Sequence, residues 1–196
     1  MVDDMTGAAA HVERSRQRWM RAIALSWGFA EATVFFVVPD VWISLVAVRS
    51  VRQGLWACVF ALAGALAGGV VVYLLGLRHQ GALLALYDHL PAISRGLIAQ
   101  VSGQLQSLGP VGVVVGGFTG APYKLYAAQA ASTGMELPLF LAASVLARGL
   151  RFVFVAVVVG LAARVLTTRL ASRTTRWVLV AFWLLFYVWY WSRMPN

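Results

Sequence analysis

Apolar residues along this chain come in long blocks separated by short basic or polar stretches, over Ala22–Val48, Gly54–Leu77, Pro110–Met135, Leu137–Ala163 and Trp177–Trp191. Block lengths of this order, without strict alternation, predict helices and no strands. The block over 54–77 carries no charge, and its 24 residues rise about 36 Å as a helix, enough to cross a hydrocarbon layer of about 30 Å with some tilt. The 137–163 block is of similar length but contains Arg148 and Arg151. The last block, over 177–192, is the shortest and ends in Trp189, Tyr190 and Trp191, the composition of an interfacial anchor.

Two blocks are interrupted. Over 22–48 the breaks are Glu31 and then Pro39-Asp40, and over 109–135 they are Pro122-Tyr123-Lys124. A proline within an apolar helix frees backbone carbonyls that lipid cannot satisfy, and an ionisable residue beside it adds about 2.5–3.5 kcal/mol at the bilayer centre. Both segments therefore read as re-entrant hairpins turning at Pro39 and Pro122, with kinked full crossings as the alternative. The order of interrupted block then unbroken block occurs twice, which suggests two repeated halves. Between the halves, residues 79–108 place Ile93, Leu97, Ile98, Val101, Leu105 and Leu108 at helical spacing among Arg95, Gln100, Gln104 and Gln106, the pattern of a helix lying in the membrane surface.

Composition turns this pattern into a class. Residues of the AVILMFWYC set make up 61% of the 196, charged residues are only 12%, and the net charge is +9. A soluble domain of this size cannot cover so much apolar surface, so the expected class is an all-α polytopic membrane protein. It would have two hairpins, about three full transmembrane helices and an interfacial helix. With no basic recognition helix or basic-aromatic stripe, the positive charge is not read as a nucleic-acid surface. Arginines fall mostly between the apolar blocks. Those of the polar tail 1–21, Arg49, Arg52 and the basic loop 164–176 share one side, while Arg78, Arg95 and Arg193 face the other. The positive-inside rule then puts the N-terminus in the cytoplasm. Glu31 lies within what would be the apolar core of a signal peptide, and no small-residue cleavage site follows, so the tail is read as uncleaved.

Five ionisable residues fall inside apolar blocks: Glu31, Asp40, Lys124, Arg148 and Arg151. Arg148 and Arg151 lie three residues apart on one helical face, near the midplane of their block. Guanidinia there require something anionic, either Glu31 and Asp40 or a substrate phosphate, whose geometry a guanidinium fork matches. One reading is a structural ion-pair network. The other is a site for an anionic headgroup held by Lys124, Arg148 and Arg151, with Glu31 and Asp40 as proton or charge partners. Gly64 and Gly68, and the series Gly112, Gly116 and Gly120, have helix-packing spacing, with backbone amides of Gly116–Gly120 offered to an anion as the alternative reading. His11, His79 and His89 lack ligand spacing, Cys58 is alone, and no serine lies in a GxSxG elbow, so neither a metal, a cofactor nor an enzyme is expected.

Ala61-Leu62-Ala63-Gly64-Ala65-Leu66-Ala67-Gly68-Gly69 with Tyr73-Leu74-Leu75-Gly76 resembles the glycine-rich helix of DedA/VTT-domain (SNARE-associated) membrane proteins. Phe118-Thr119-Gly120-Ala121-Pro122-Tyr123-Lys124, followed by Gly134, Phe140 and Arg148-Gly149-Leu150-Arg151-Phe152, resembles especially the small YqaA-type branch. The chain departs from the family's Arg-Phe-x-Pro-x-x-Arg hairpin by Thr119 and Leu125 at the arginine positions, and its first hairpin is reduced to Pro39-Asp40. The resemblance implies two opposed re-entrant hairpins and movement of lipids, polyprenyl-phosphate carriers or phospholipids, across a bacterial inner membrane, with proton coupling in some members. Glu31 and Asp40 would then be the acids of the first hairpin, and Lys124 with Arg148 or Arg151 the bases of the second. A membrane lipid and protons are the expected partners, and a homo-oligomer is compatible with them. The competing classes are a non-transporting scaffold or assembly factor and a proton-coupled carrier of small ions.

Overall fold

The computed structural model describes residues 2–168 and 171–193, all helix and connection with no strand among them. The helices are α1 (Val2–Thr33), α2 (Asp40–Ala47), α3 (Val51–Asp88), α4 (Arg95–Leu108), α5 (Pro110–Thr119), α6 (Tyr123–Ala130), α7 (Leu137–Thr167) and α8 (Ser172–Arg193), with a 3-10 turn over Ala131–Thr133. Two of them, α3 and α7, are long and apolar enough to cross a membrane. Their outward faces carry Leu74, Leu75, Leu146, Leu150, Phe154 and Leu161 exposed. A water-facing surface seldom carries contiguous apolar rows of this kind.

Glycine and proline punctuate the chain. Gly120 closes α5 and Gly134 follows the 3-10 turn, both left-handed (φ 86° and 78°). Such angles suit a residue without Cβ at a helix end. Pro110 opens α5. Pro39 and Pro122 immediately precede α2 and α6, where a fixed φ near −60° and a missing N–H suit a helix start. The two prolines thus begin the returning helices, and the bends themselves lie just before them, at 34–38 and 120–121.

Side-chain contacts fix the directions. Arg21 stands over Trp56 and Phe60, Gly64 abuts Leu25, and Gly68 abuts Phe29 and Ala32. The two number series climb together, so α1 and α3 run parallel. Val51 meets Gly160, Cys58 donates to the Phe152 carbonyl at 3.3 Å, and Tyr73 stacks on Phe140, so α3 and α7 run antiparallel. Asp40 meets Arg151 and Ala47 meets Gly160, so α2 runs with α7 and therefore back against α1. In the second half Tyr123 reaches Gly69 and Ala128 reaches Gly76, making α6 parallel to α3, while Gly116 packs on Tyr126 across the 120–121 bend. Each interrupted block is thus a pair of helices folded back on itself, and each returning helix packs on the long helix of the other half: α2 on α7, α6 on α3.

Close approach requires the glycines. A Cβ on Gly64 would sit 1.9 Å from the Leu25 carbonyl oxygen, and one on Gly28 would sit 2.1 Å from that of Ala61. The Gly64/Gly68 spacing is therefore the seam between α1 and α3, and Gly116 serves the second pair in the same way.

Several expected boundaries fall elsewhere. The polar stretch 1–21 does not form a separate tail, because α1 continues unbroken from Val2 to Thr33. The uncharged 54–77 block ends near a kink at His79 (φ −139°, ψ 41°), after which α3 continues to Asp88. The apolar stripe of α4 is buried at Val101 and Leu105 in the core formed with α3, α5 and α6, while Leu108 at its end stays exposed. The last helix is 22 residues long, since Ser172–Arg176 extend it, but its Trp and Tyr content keeps it out of the class of α3 and α7. Of the basic loop 164–176, Arg164 ends α7, Arg173 and Arg176 open α8, and residues 169 and 170 lie outside the described ones.

Replacing Gly64 by Leu should force α1 off α3 and cost at least about 1–3 kcal/mol. Gly81, with open space around it, should accept Ala with unchanged or slightly raised stability, by up to about 1 kcal/mol. Thermal unfolding of the two purified variants in detergent compares them directly.

Candidate functional site

The two bends meet. Lys124, the second residue of α6, lies buried and donates from Nζ to the Phe35 carbonyl oxygen at 2.8 Å, in the bend between α1 and α2. Its ammonium also lies 4.6 Å from the centroid of the Phe36 ring, within cation–π range. The first bend leaves main-chain carbonyls without helical partners, and the lysine of the second bend takes one of them.

Along α7, Ser144, Arg148 and Arg151 recur at helical spacing towards this meeting point. Arg148 donates from one terminal nitrogen to both carboxylate oxygens of Glu31, at 2.7 and 2.5 Å. Both side chains are more than nine-tenths buried. The guanidinium lies 4.3 Å from the Tyr123 ring centroid and 5.7 Å from that of Phe152. Tyr123 is held in turn, its hydroxyl donating to Ser144 Oγ at 2.9 Å while Ser144 donates to the Phe140 carbonyl at 2.7 Å. One turn on, Arg151 donates to Asp40 Oδ2 at 2.8 Å and to the Gly117 carbonyl at 3.4 Å. Asp40 is buried, whereas the Arg151 side chain keeps about 30% of its surface open.

A small cavity of about 60 Å³, room for a few waters, opens among Glu31, Lys124, Arg148, Arg151, Gly117 and Tyr190. Two polar atoms of the cluster have no hydrogen-bond partner, Asp40 Oδ1 and Arg148 Nε. Three bases face two acids, which leaves one surplus positive charge, and among the described residues no carboxylate oxygen comes within 4.0 Å of Lys124. Chemically the cluster can exchange an internal carboxylate for an external anion at either arginine. It can also take one further negative charge beside Lys124 without becoming net negative.

All five ionisable residues singled out from the sequence lie at this meeting point, and Pro39 and Pro122 open the helices that carry Asp40 and Lys124 to it. The pairing is one acid to one arginine, with Lys124 on a neutral oxygen. Tyr123, Ser144 and the Phe35 carbonyl were not foreseen as parts of the site. Ser144 carried a signal, one turn before Arg148 on the same face; the Tyr123 contact needs Gly69, where a Cβ would lie 2.3 Å from the tyrosine hydroxyl. Tyr190, expected as an interfacial anchor, instead lines the cavity. It is brought there by α8, whose Trp183 donates to Ser44 Oγ and whose Tyr187 hydroxyl accepts the Val38 amide, both at 2.9 Å. The Gly116–Gly120 stretch presents the carbonyl of Gly117 to Arg151, and Gly116 is filled by the Tyr126 ring, so no amide cradle forms there. Among the described residues no group of three His, Cys, Asp or Glu is placed to hold a metal.

No family model, curated protein or solved structure matches the chain.

Removing one partner of the Glu31–Arg148 pair strands a buried charge, which costs about 3–5 kcal/mol. Arg148→Met should therefore lower thermal stability sharply, and Glu31→Gln with Arg148→Met together should restore much of it. Arg151→Gln likewise strands the buried Asp40 carboxylate and should cost a comparable amount. A double-mutant cycle read by unfolding in detergent gives the three values.

Proposed function

We propose that this chain is a polytopic α-helical protein of a bacterial inner membrane, with its N-terminus in the cytoplasm, that moves an anionic lipid between leaflets. The lipid is a polyprenyl-phosphate carrier or a phospholipid, as the resemblance to the DedA/VTT-domain proteins implies. In this reading α1–α2 and α5–α6 are re-entrant hairpins entering from opposite sides, and α3 and α7 cross fully. The observation that carries it is the surplus positive charge of the buried cluster, three bases to two acids at the junction of two opposed bends beside a small cavity.

Mechanistically, the lipid phosphate replaces Glu31 at Arg148 or Asp40 at Arg151, with Lys124 as the third contact. A carboxylate that has lost its arginine takes up a proton, so arrival of the phosphate and protonation favour each other. Return of the carboxylate to its arginine then expels the phosphate and releases the proton. Uptake on one side and release on the other couples movement to a proton gradient. Tyr123 and Ser144 hold Arg148 in orientation while its anionic partner changes.

A second reading has support in the same place. Both carboxylates already hold arginines at 2.5–2.8 Å, as expected of a lock between helices in a non-transporting scaffold. The readings part on movement of lipid.

In liposomes containing the purified protein, a fluorescent anionic phospholipid should equilibrate between leaflets, faster when a pH gradient is imposed. Lys124→Ala should slow it by about tenfold or more, corresponding to loss of one charge-assisted bond. Folded Arg148→Ala and Arg151→Ala proteins that move lipid at the wild-type rate would remove the site assignment. No movement by the wild-type protein would favour the scaffold.

A further inference from the structure

A second polar pocket, remote from the central cluster, lies at the end of the molecule where the first fold-back pair begins and ends. A cavity of about 350 Å³ opens between α1, the last turn of α2 and the first turn of α3, lined by Gln17, Arg21, Ser50, Arg52, Gln53 and Trp56 among others. Ten residues of α1 separate Arg21 from Glu31, about 15 Å along the helix. The pocket is therefore distinct from the central cavity, with which it shares no lining residue.

Its chemistry is one-sided. Two guanidinia, two carboxamides and a hydroxyl line it, and no carboxylate does. Among the described residues no acid lies within 4.0 Å of Arg21 or Arg52, and none makes a hydrogen bond with either guanidinium. Arg21 is nevertheless held in place. Its guanidinium carbon stands 5.4 Å from the Trp56 ring centroid and 5.5 Å from that of Phe60, within cation–π range of both rings. Ser50 caps α3, its hydroxyl accepting the Gln53 amide, so the positive end of a 38-residue helix also faces this place. Gln17 donates to Glu13 at 3.2 Å, one turn back on α1, so the two cations, the helix start and the Gln53 carboxamide form the receptor for an oxyanion. Trp56, itself exposed, lines it, the residue type favoured where hydrocarbon gives way to headgroups.

The geometry points to this pocket as a binding site for the phosphate of an anionic lipid in the adjacent leaflet, seated at the mouth of the first fold-back pair. This rests on the membrane placement proposed above, but not on movement of lipid. Phosphate is the shared chemistry of a lipid headgroup and of the free ion. The Trp56 and Phe60 rings beside Arg21 favour the lipid, whose glycerol and chains can lie along them. Basic pockets between membrane helices on the positively charged side recognise headgroups in this way. The site would hold a lipid at the open end of the pair, opposite the bend that reaches the central cavity.

The test is equilibrium binding of dioctanoyl phosphatidic acid to the full-length protein in a neutral detergent, with inorganic phosphate as competitor. Arg21→Gln with Arg52→Gln should weaken binding by about tenfold or more, two surface arginines being removed. Arg173→Gln with Arg176→Gln, which removes the same charge elsewhere, should leave it within about twofold. Raising the ionic strength should weaken the wild type and not the first double variant. Wild-type affinity in that variant, with its thermal midpoint unchanged, overturns the site. Competition by inorganic phosphate at concentrations equal to the lipid overturns the lipid assignment. Should the double variant fail to fold, Arg52→Gln alone carries the measurement, since that exposed side chain pairs with no acid among the described residues. Binding is read without transfer between leaflets, so absence of transport leaves this result intact, and loss of this site leaves the central cluster unaffected.

Discussion

A charge buried in an apolar interior must find its opposite or a dipole, and the architecture of this chain follows from meeting that demand five times in one place. The Glu31–Arg148 pair ties α1 to α7, Asp40–Arg151 ties α2 to α7, and Lys124 ties α6 to the bend between α1 and α2. Each tie needs backbones closer than ordinary side chains allow. The glycines of the α1–α3 seam and Gly69 and Gly76 on α3 supply that closeness, letting α1 and α6 lie against α3. Fold-back geometry, glycine spacing and buried charge are thus one arrangement seen at three scales.

Much of this was legible in the amino-acid order. An uncharged 24-residue run fixes the helix at 54–77, and a proline beside an ionisable residue inside an apolar block marks a place where the chain cannot run straight. Opposite charges in separate apolar blocks had to meet. Which acid meets which arginine was not legible, because both arginines lie on one face of α7 and the choice depends on how far α1 runs before it bends. The apolar stripe of α4 suits packing on protein as well as a surface, and its burial at Val101 and Leu105 against α5 and α6 was not legible in the periodicity alone. Tyr190 was misassigned because aromatic residues at a chain's end suit an interface wherever they lie; the bonds of Trp183 and Tyr187 to the first fold-back pair place it otherwise. The prolines were right as markers and wrong as apices, since a residue lacking N–H suits the first turn of the helix that follows.

Lys124 differs from the two arginines in its partner. A main-chain carbonyl is a weaker acceptor for an ammonium than a carboxylate or phosphate, so this bond yields first to an incoming anion. The arginines are held by their own acids and, for Arg148, by an aromatic face that leaves with no anion. Within one cluster the protein therefore has a cation with a weak partner and two with strong ones. A site that must bind and then let go benefits from that difference, because a guest gains its first contact at little cost and displaces the stronger partners only when fully seated.

The exchange of returning helices between halves has a consequence for biogenesis. Glu31 emerges from the ribosome 117 residues before Arg148, and Asp40 precedes Arg151 by 111. At about 5–20 residues per second, that interval lasts roughly 5–25 s. Throughout it the early half carries carboxylates whose counter-ions have not yet been made, and α2 has α3 to pack on but not yet α7. Those acids must wait protonated, hydrated, or sheltered. Synthesis of α7 is then the event that lets the first half settle, and a ribosome stalled before it would leave behind a fragment unable to complete its own interior.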